Sequence, residues 1–519
     1  MQRLTRIYFI SLEALWVIAL VGLPLTTFPL FTSFTGAIVA PFSGAPILLI
    51  LVLWLLPALI FRRNNLKLPV EAWPLYLFVL AALLSSTLAF FINIPTFKNS
   101  SPLNQEIRAF STLGIGLAFY LVCASWPRDS KMLRRALQWI NIGGILMLLW
   151  TLTQVHYILT NATGYPDWVL AIQKYLVIKP QYFFFRGNRT SGLAYEASWF
   201  AHQLIVLYIP LWLAATVERK SAFNFRILRL RSFQGFSLEN ILLPVALFEF
   251  SLSSPRIALI SLSLIFLLLF VRINLNLVRK ITGLIMKRGQ SHLRASLFTK
   301  AIITIAAALI LTLVYISLVL GVIYIMSQRD WRLALLFENP IPWSDIRSLL
   351  NLDESTIIIY GARMAFLERI VYWLTGWHVF NDYPFLGVGL GNVGFYFAQK
   401  VPSVGWSSYE IRDVLNIMTT IPNIKGLWVR LLAETGILGF YIFAGWYYLM
   451  GKLVRLLQHN NSSIGKLIAW AAAFSLVAFL SEGFSIDSFA MPYLWVVMGL
   501  VSAMGLINRR EITISQVKT

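Results

Sequence analysis

Three arginines stand where the chain turns between apolar runs. Arg189 lies in FFFRGNRTSGLAYEASWF, where an apolar run begins, and Arg256 lies in the short turn SLSSPRIAL. Arg369 opens the second half of the stretch GARMAFLERIVYWLTGWHVF. A guanidinium keeps its charge at physiological pH and donates two parallel hydrogen bonds, which match the oxygens of phosphate or pyrophosphate. A lone arginine near a membrane surface commonly pairs with a carboxylate or snorkels to lipid phosphates. Three of them at loop–helix junctions point instead to one anion-binding cavity on which all converge.

Other titratable groups lie within the apolar runs. Arg430 and Glu434 are four residues apart, close enough to pair on one helix. Glu196 and Glu482 have no counter-charge beside them in the sequence, so each is a candidate for chemistry or for holding an arginine. His202 comes six residues after Glu196, projects to another helical face, and reads as a buried, hydrogen-bonded histidine. His378 could act as a base, or with Trp377 as an interfacial anchor. The stretch PFLGVGLGN, residues 384 to 392, alternates three glycines but lacks the βαβ context of a dinucleotide site. Its glycines more simply let backbone pass close to a helix or a ligand.

These residues must be positioned by membrane helices. Of 519 residues, 58% are hydrophobic and only 13% charged, about half the charged share of a soluble domain. Twelve apolar stretches of about bilayer-spanning length are legible, near 8–29, 45–61, 73–93, 109–126, 137–158, 191–217, 239–253, 256–272, 301–326, 426–450, 467–483 and 493–508. The seventh and eighth are short and separated only by Ser254 and Pro255, which leaves a count of eleven open. The first is too long for a signal peptide and reads as a retained helix. With the N-terminus inside, the inner connections carry 27 Lys and Arg in about 107 residues and the outer ones 15 in about 175. That bias predicts cytoplasmic termini. It also accounts for a net charge of +21 that is dispersed rather than clustered, so nucleic acid is not an expected partner. One cysteine, Cys123, and five scattered histidines exclude intrachain disulfides and cysteine-ligated metal, and predict neither metal nor cofactor.

Residues 327–425 form one long outer connection, which predicts structure or function of its own. Within it Phe366, Ile370, Trp373, Leu374 and Trp377 share a helical face opposite Arg363, Glu368 and Arg369. That pattern predicts either a helix lying in the interface plane or one packed on the outer ends of the bundle. The expected organisation is helices one to nine in 1–326, the large loop in 327–425, and helices ten to twelve with a cytoplasmic tail in 426–519, all as one membrane domain.

Taken together, these segments resemble the O-antigen polymerase and ligase superfamily over roughly Arg189 to Pro492. RTSGLAYEASWFA is similar to that family's Arg-x-Ser-Gly segment, LSSPRIALI to its second-arginine turn, RIVYWLTGWHVFNDYPFLGVGLGN to its large-loop signature, and LWVRLLAETGILGF to the helix that follows. The resemblance implies an all-α polytopic glycosyltransferase of the C type in the bacterial inner membrane, acting on polyprenyl-pyrophosphate-linked oligosaccharide. A flippase and a chain-length regulator would be its partners. In ligases a histidine precedes the last signature helix; this chain has Lys425 and Gly426 there. An ordinary lysine is protonated at pH 7 and cannot take a proton, though it can hold phosphate. The departure points to the polymerase branch, with a ligase or a protein O-oligosaccharyltransferase as alternatives. The expected substrate-binding residues are Arg189, Arg256, Arg369, Lys425 and Arg430, and the candidate bases are Glu196 and His378. A lipid-linked oligosaccharide flippase or small-anion carrier is the competing class.

Overall fold

The computed structural model describes all residues except 1, 36–37, 62–67, 161–165, 179–188, 224–235, 289–296, 329, 339–341, 352, 460–461 and 519. The described residues are helical and contain no β-strand. Among the described residues, eight helices are long and apolar enough to cross a bilayer: Val70–Ala89, Pro102–Ser125, Ser130–Thr160, Ala197–Glu218, Arg256–Leu275, Ala308–Ser327, Leu427–Gln458 and Ser463–Glu482. A shorter apolar helix runs Gly44–Ile60. Helices Gln2–Val21, Leu238–Ser253 and Pro492–Lys518 occupy the remaining apolar stretches.

The chain divides into two compact units, residues 1–258 with 366–519, and residues 259–365. In the second, Tyr315 stacks on Phe270 at 5.3 Å between centroids and donates its hydroxyl to the Ser263 carbonyl at 2.6 Å. The long connection predicted for 327–425 is thus shared between the units. Its first part forms three short helices, Trp331–Glu338, Trp343–Leu350 and Glu354–Arg363. The last of these is capped by the Asp353 carboxylate, which accepts from the Thr356 amide at 2.9 Å.

In the first unit the helix Ala197–Glu218 is central and buried along most of its length, as its apolar residues on every face require. It contains a π turn at Leu204–Tyr208, just before Pro210. Proline has no N–H, so the Val206 carbonyl loses its helical donor, and the Ser475 hydroxyl of Ser463–Glu482 replaces it at 2.6 Å. The same device recurs in Gly44–Ile60. Pro57 strips the donor from Leu53, and the Tyr8 hydroxyl binds that carbonyl at 2.7 Å. Ser475→Ala should therefore lower stability by about 1–3 kcal/mol, visible as a lower melting temperature in detergent. An unchanged melting temperature would show that the carbonyl is satisfied otherwise.

The helix Leu427–Gln458 is broken at Gly436, whose φ of 61° and ψ of −168° are not helical. The glycine-rich loop fills the break. On one side Ile437 and Leu438 donate to the Pro384 and Phe385 carbonyls at 2.8 and 3.3 Å, and on the other Val388 and Gly389 donate to Ala433 and Glu434, each at 3.0 Å. The Ser85 hydroxyl lies on the Leu386 and Glu434 carbonyls at 2.5 and 2.7 Å. Backbone freed inside a helical bundle is thus satisfied by other backbone, as burial demands. The glycines serve close approach, as the sequence suggested.

The amphipathic stretch corrects one expectation. Ala365 has φ +50°, so the chain forms two helices, Glu354–Arg363 and Leu367–Asp382, rather than one. In the second, the buried face is Ile370, Val371, Tyr372, Thr375, Gly376 and Val379. Trp377, placed in the apolar stripe by periodicity, is 45% exposed. Gly376 sets the contact: a Cβ there would lie 2.7 Å from Val429 and 2.8 Å from Ile424, so this face packs against the start of the broken helix. The other side of the packing is a core of Val388, Phe395, Phe397 and Ile411. The close approach at Gly376, not the stripe's mean direction, sets the helix's rotation, and it leaves Glu368 and Arg369 facing a cavity.

Candidate functional site: a charged cavity at one end of the bundle

The turn that carries Arg256 is built by backbone and by a second arginine. Ser254 ends the helix Leu238–Ser253 with φ 44°, and the helix bearing Arg256 starts two residues later. The Arg189 guanidinium holds that turn, donating from Nε to the Ser253 carbonyl at 2.7 Å and from Nη2 to Ser254 at 3.1 Å. Arg256 itself stacks over the Phe366 ring at 5.0 Å. Arg369 donates from Nη1 to the carbonyls of Lys425 at 3.2 Å and Ser485 at 3.1 Å. Lys425 has φ +51°; its ammonium binds the Glu410 carboxylate and lies 4.3 Å from the centre of the Tyr372 ring.

Arg256, Arg369 and Lys425 line one cavity of about 460 Å³, together with Glu196, Glu368, Glu410, Asp487, Trp199 and Tyr372. The cavity sits where Ala197–Glu218 and Leu427–Gln458 begin and Ser463–Glu482 ends. Those are the helix ends that charge bias assigns to the outer side. Glu196 precedes the first helical residue, Ala197, and accepts from the Ser198 hydroxyl. Glu368 accepts from Ser408 Oγ at 3.1 Å. Arginine and lysine supply three positive charges against four carboxylates, so the cavity is mixed in sign rather than purely cationic.

Glu410 is held below the usual carboxylate range. Burial pushes it up, but Lys425, the Tyr372 hydroxyl at 3.2 Å and Arg369 outweigh burial. The Tyr372 hydroxyl is held well above its usual range by burial and by Glu410. A carboxylate depressed in the folded state adds stability above its unfolded pKa and loses it as pH falls through the folded value. The melting temperature should fall as the pH drops below about 4, and Glu410→Gln should flatten that part of the profile. A profile identical in both proteins would remove Glu410 from the balance.

The remaining candidates lie outside the cavity lining. Arg430 is buried, pairs with Glu434 at 2.9 Å, and donates to the Asp487 carbonyl at 2.7 Å. It therefore anchors the connection that brings Ser485, Asp487 and Ser488 to the cavity. His378 has its Nδ1 at 3.0 Å from the Lys400 carbonyl. Glu482 pairs with His202 at 2.8 Å, each side chain 1% exposed, which matches the buried histidine read from the sequence. Glu368, Glu410, Tyr372, Trp199 and Asp487 were not singled out by sequence. Nothing in their spacing distinguishes them from ordinary loop and helix residues; Glu249, fully buried in Leu238–Ser253, was also missed.

Fold and site define a polytopic α-helical membrane protein with an arginine-bearing, carboxylate-lined cavity at one bundle end. No protein-family model matches the chain, and no curated protein matches it.

Proposed function

We propose that the protein is a glycosyltransferase that polymerises polyprenyl-pyrophosphate-linked glycan repeats on the periplasmic face of the bacterial inner membrane. It would have about twelve spans of the C type and cytoplasmic termini. The observation that carries this reading is the convergence of Arg256, Arg369 and Lys425 on one cavity that also holds carboxylates and aromatic rings. Phosphate oxygens suit the guanidinium groups. Sugars suit the rest, since carboxylates accept from hydroxyls and rings pack on pyranose faces. In the reaction an acceptor hydroxyl attacks the donor's anomeric carbon, the bond from that carbon to the pyrophosphate oxygen breaks, and the leaving group departs with the electron pair. Fixed cations stabilise its growing charge. Glu196, which lines the cavity, would take the hydroxyl proton. Arg189 and Arg430 act by positioning the Arg256 turn and the Asp487 connection.

The test is polymerisation by purified protein in vesicles supplied with one lipid-linked repeat. A ladder of glycan products supports the reading, and transfer only to a lipid A core or to a peptide would select the ligase or oligosaccharyltransferase alternative. A second reading, transport of a lipid-linked oligosaccharide or small anion, is favoured by the buried His202–Glu482 pair and by Glu249, because intramembrane ionisable groups commonly carry ions or protons. Movement of the repeat across the vesicle membrane without elongation would establish it.

A further inference from the structure

A second recess lies at the opposite end of the same unit. Helix Pro492–Lys518 starts beside the arginine cavity at Met491 and runs along Pro102–Ser125 with Gly499 against Cys123. Trp126, just beyond that partner's last residue, belongs to this other recess of about 280 Å³. Its walls are two helical faces legible in the sequence. Phe9, Glu13 and Trp16 recur at i, i+4 and i+7, and Met132, Arg135 and Trp139 at i, i+3 and i+7. Its floor is a cluster of packed tryptophans: Trp126 is 6.3 Å from Trp16 and 4.9 Å from Trp54, and all three are buried.

We infer that this recess binds the phosphate headgroup of an acidic two-chain membrane phospholipid, with an acyl chain along Phe9, Met132 and Trp139. Two arginines line it against one glutamate, so it carries net positive charge. Arg128 is held over the Trp54 ring at 5.8 Å, which orders its guanidinium before a ligand arrives. Arg135 meets Glu13 at 3.8 Å with side chains 67% and 62% exposed. Such a long, exposed pair contributes little and leaves guanidinium donors for phosphate oxygens. Tryptophan rings beside basic groups belong at headgroup depth, and basic pockets between helices on the cytoplasmic side take anionic headgroups. Bulk lipid phosphate would need no such floor. The inference does not depend on the glycosyltransferase reading.

Native mass spectrometry of the purified full chain, titrated with phosphatidylglycerol or phosphatidylcholine, tests it. One phosphatidylglycerol should be retained in preference to phosphatidylcholine. Arg135→Gln should weaken that retention about fivefold, and Glu13→Gln, which removes the competing charge, should strengthen it. Equal retention of the two lipids, no change in Arg135→Gln, or weaker binding in Glu13→Gln would each overturn the site. Displacement of the lipid by inorganic phosphate would make it a free-anion site and overturn the lipid assignment.

Discussion

Arg256→Lys should lower polymer formation by about 10²–10³-fold while protein abundance and melting temperature stay unchanged. Lysine keeps the charge but loses the planar fork, and with it the two-point contact to a pyrophosphate and the stacking on Phe366 at 5.0 Å. Arg256 lines the cavity, and Arg189 holds the turn together through the Ser253 and Ser254 carbonyls. Arg189→Lys should therefore lose protein abundance along with activity, whereas Arg256→Lys loses activity alone. The ratio of glycan ladder to immunoblotted protein separates the two. Full-length polymer from Arg256→Lys at normal abundance would take Arg256 out of the site.

Gly436→Ala should cost about 3 kcal/mol or more, enough to abolish recovery of monodisperse protein. Two costs add. The backbone at φ 61° and ψ −168° belongs to a region only glycine visits readily. A Cβ would also stand 2.2 Å from the Phe385 carbonyl oxygen and 2.3 Å from its carbon, where backbone cannot yield without breaking the Pro384–Gly389 contacts. Gly445 and Gly451 lie further along the same helix with nothing within 4 Å of an added Cβ. Alanine at either should be neutral or stabilising by roughly 0.5–1 kcal/mol. Normal yield and melting temperature for Gly436→Ala would mean that the loop and helix are not locked together as described.

The sequence alone determined the class of structure. Each of the twelve apolar stretches overlaps a helix, and among the described residues eight helices are long and apolar enough to cross a bilayer, where a helix satisfies its own backbone. Local spacing sufficed wherever partners are one helical turn apart, as for Arg430 and Glu434. It also sufficed where the glycines of residues 387–391 were read as letting backbone pass close to a helix. Only the tertiary structure decided which charges meet. Glu410, Lys425 and Tyr372 lie on three separate segments and come together through chain folding, and Glu482 finds His202 across 280 residues. Periodicity grouped Trp377 with the apolar face, whereas the close approach at Gly376 buries Ile370, Val371, Tyr372 and Val379, leaves Trp377 exposed and sets Arg369 and Glu368 at the cavity. The physical reason is range. Hydrophobic pattern acts along the chain and sets which segments become helices, whereas the pairing of charges and the facing of helices depend on side-chain shape where distant segments touch.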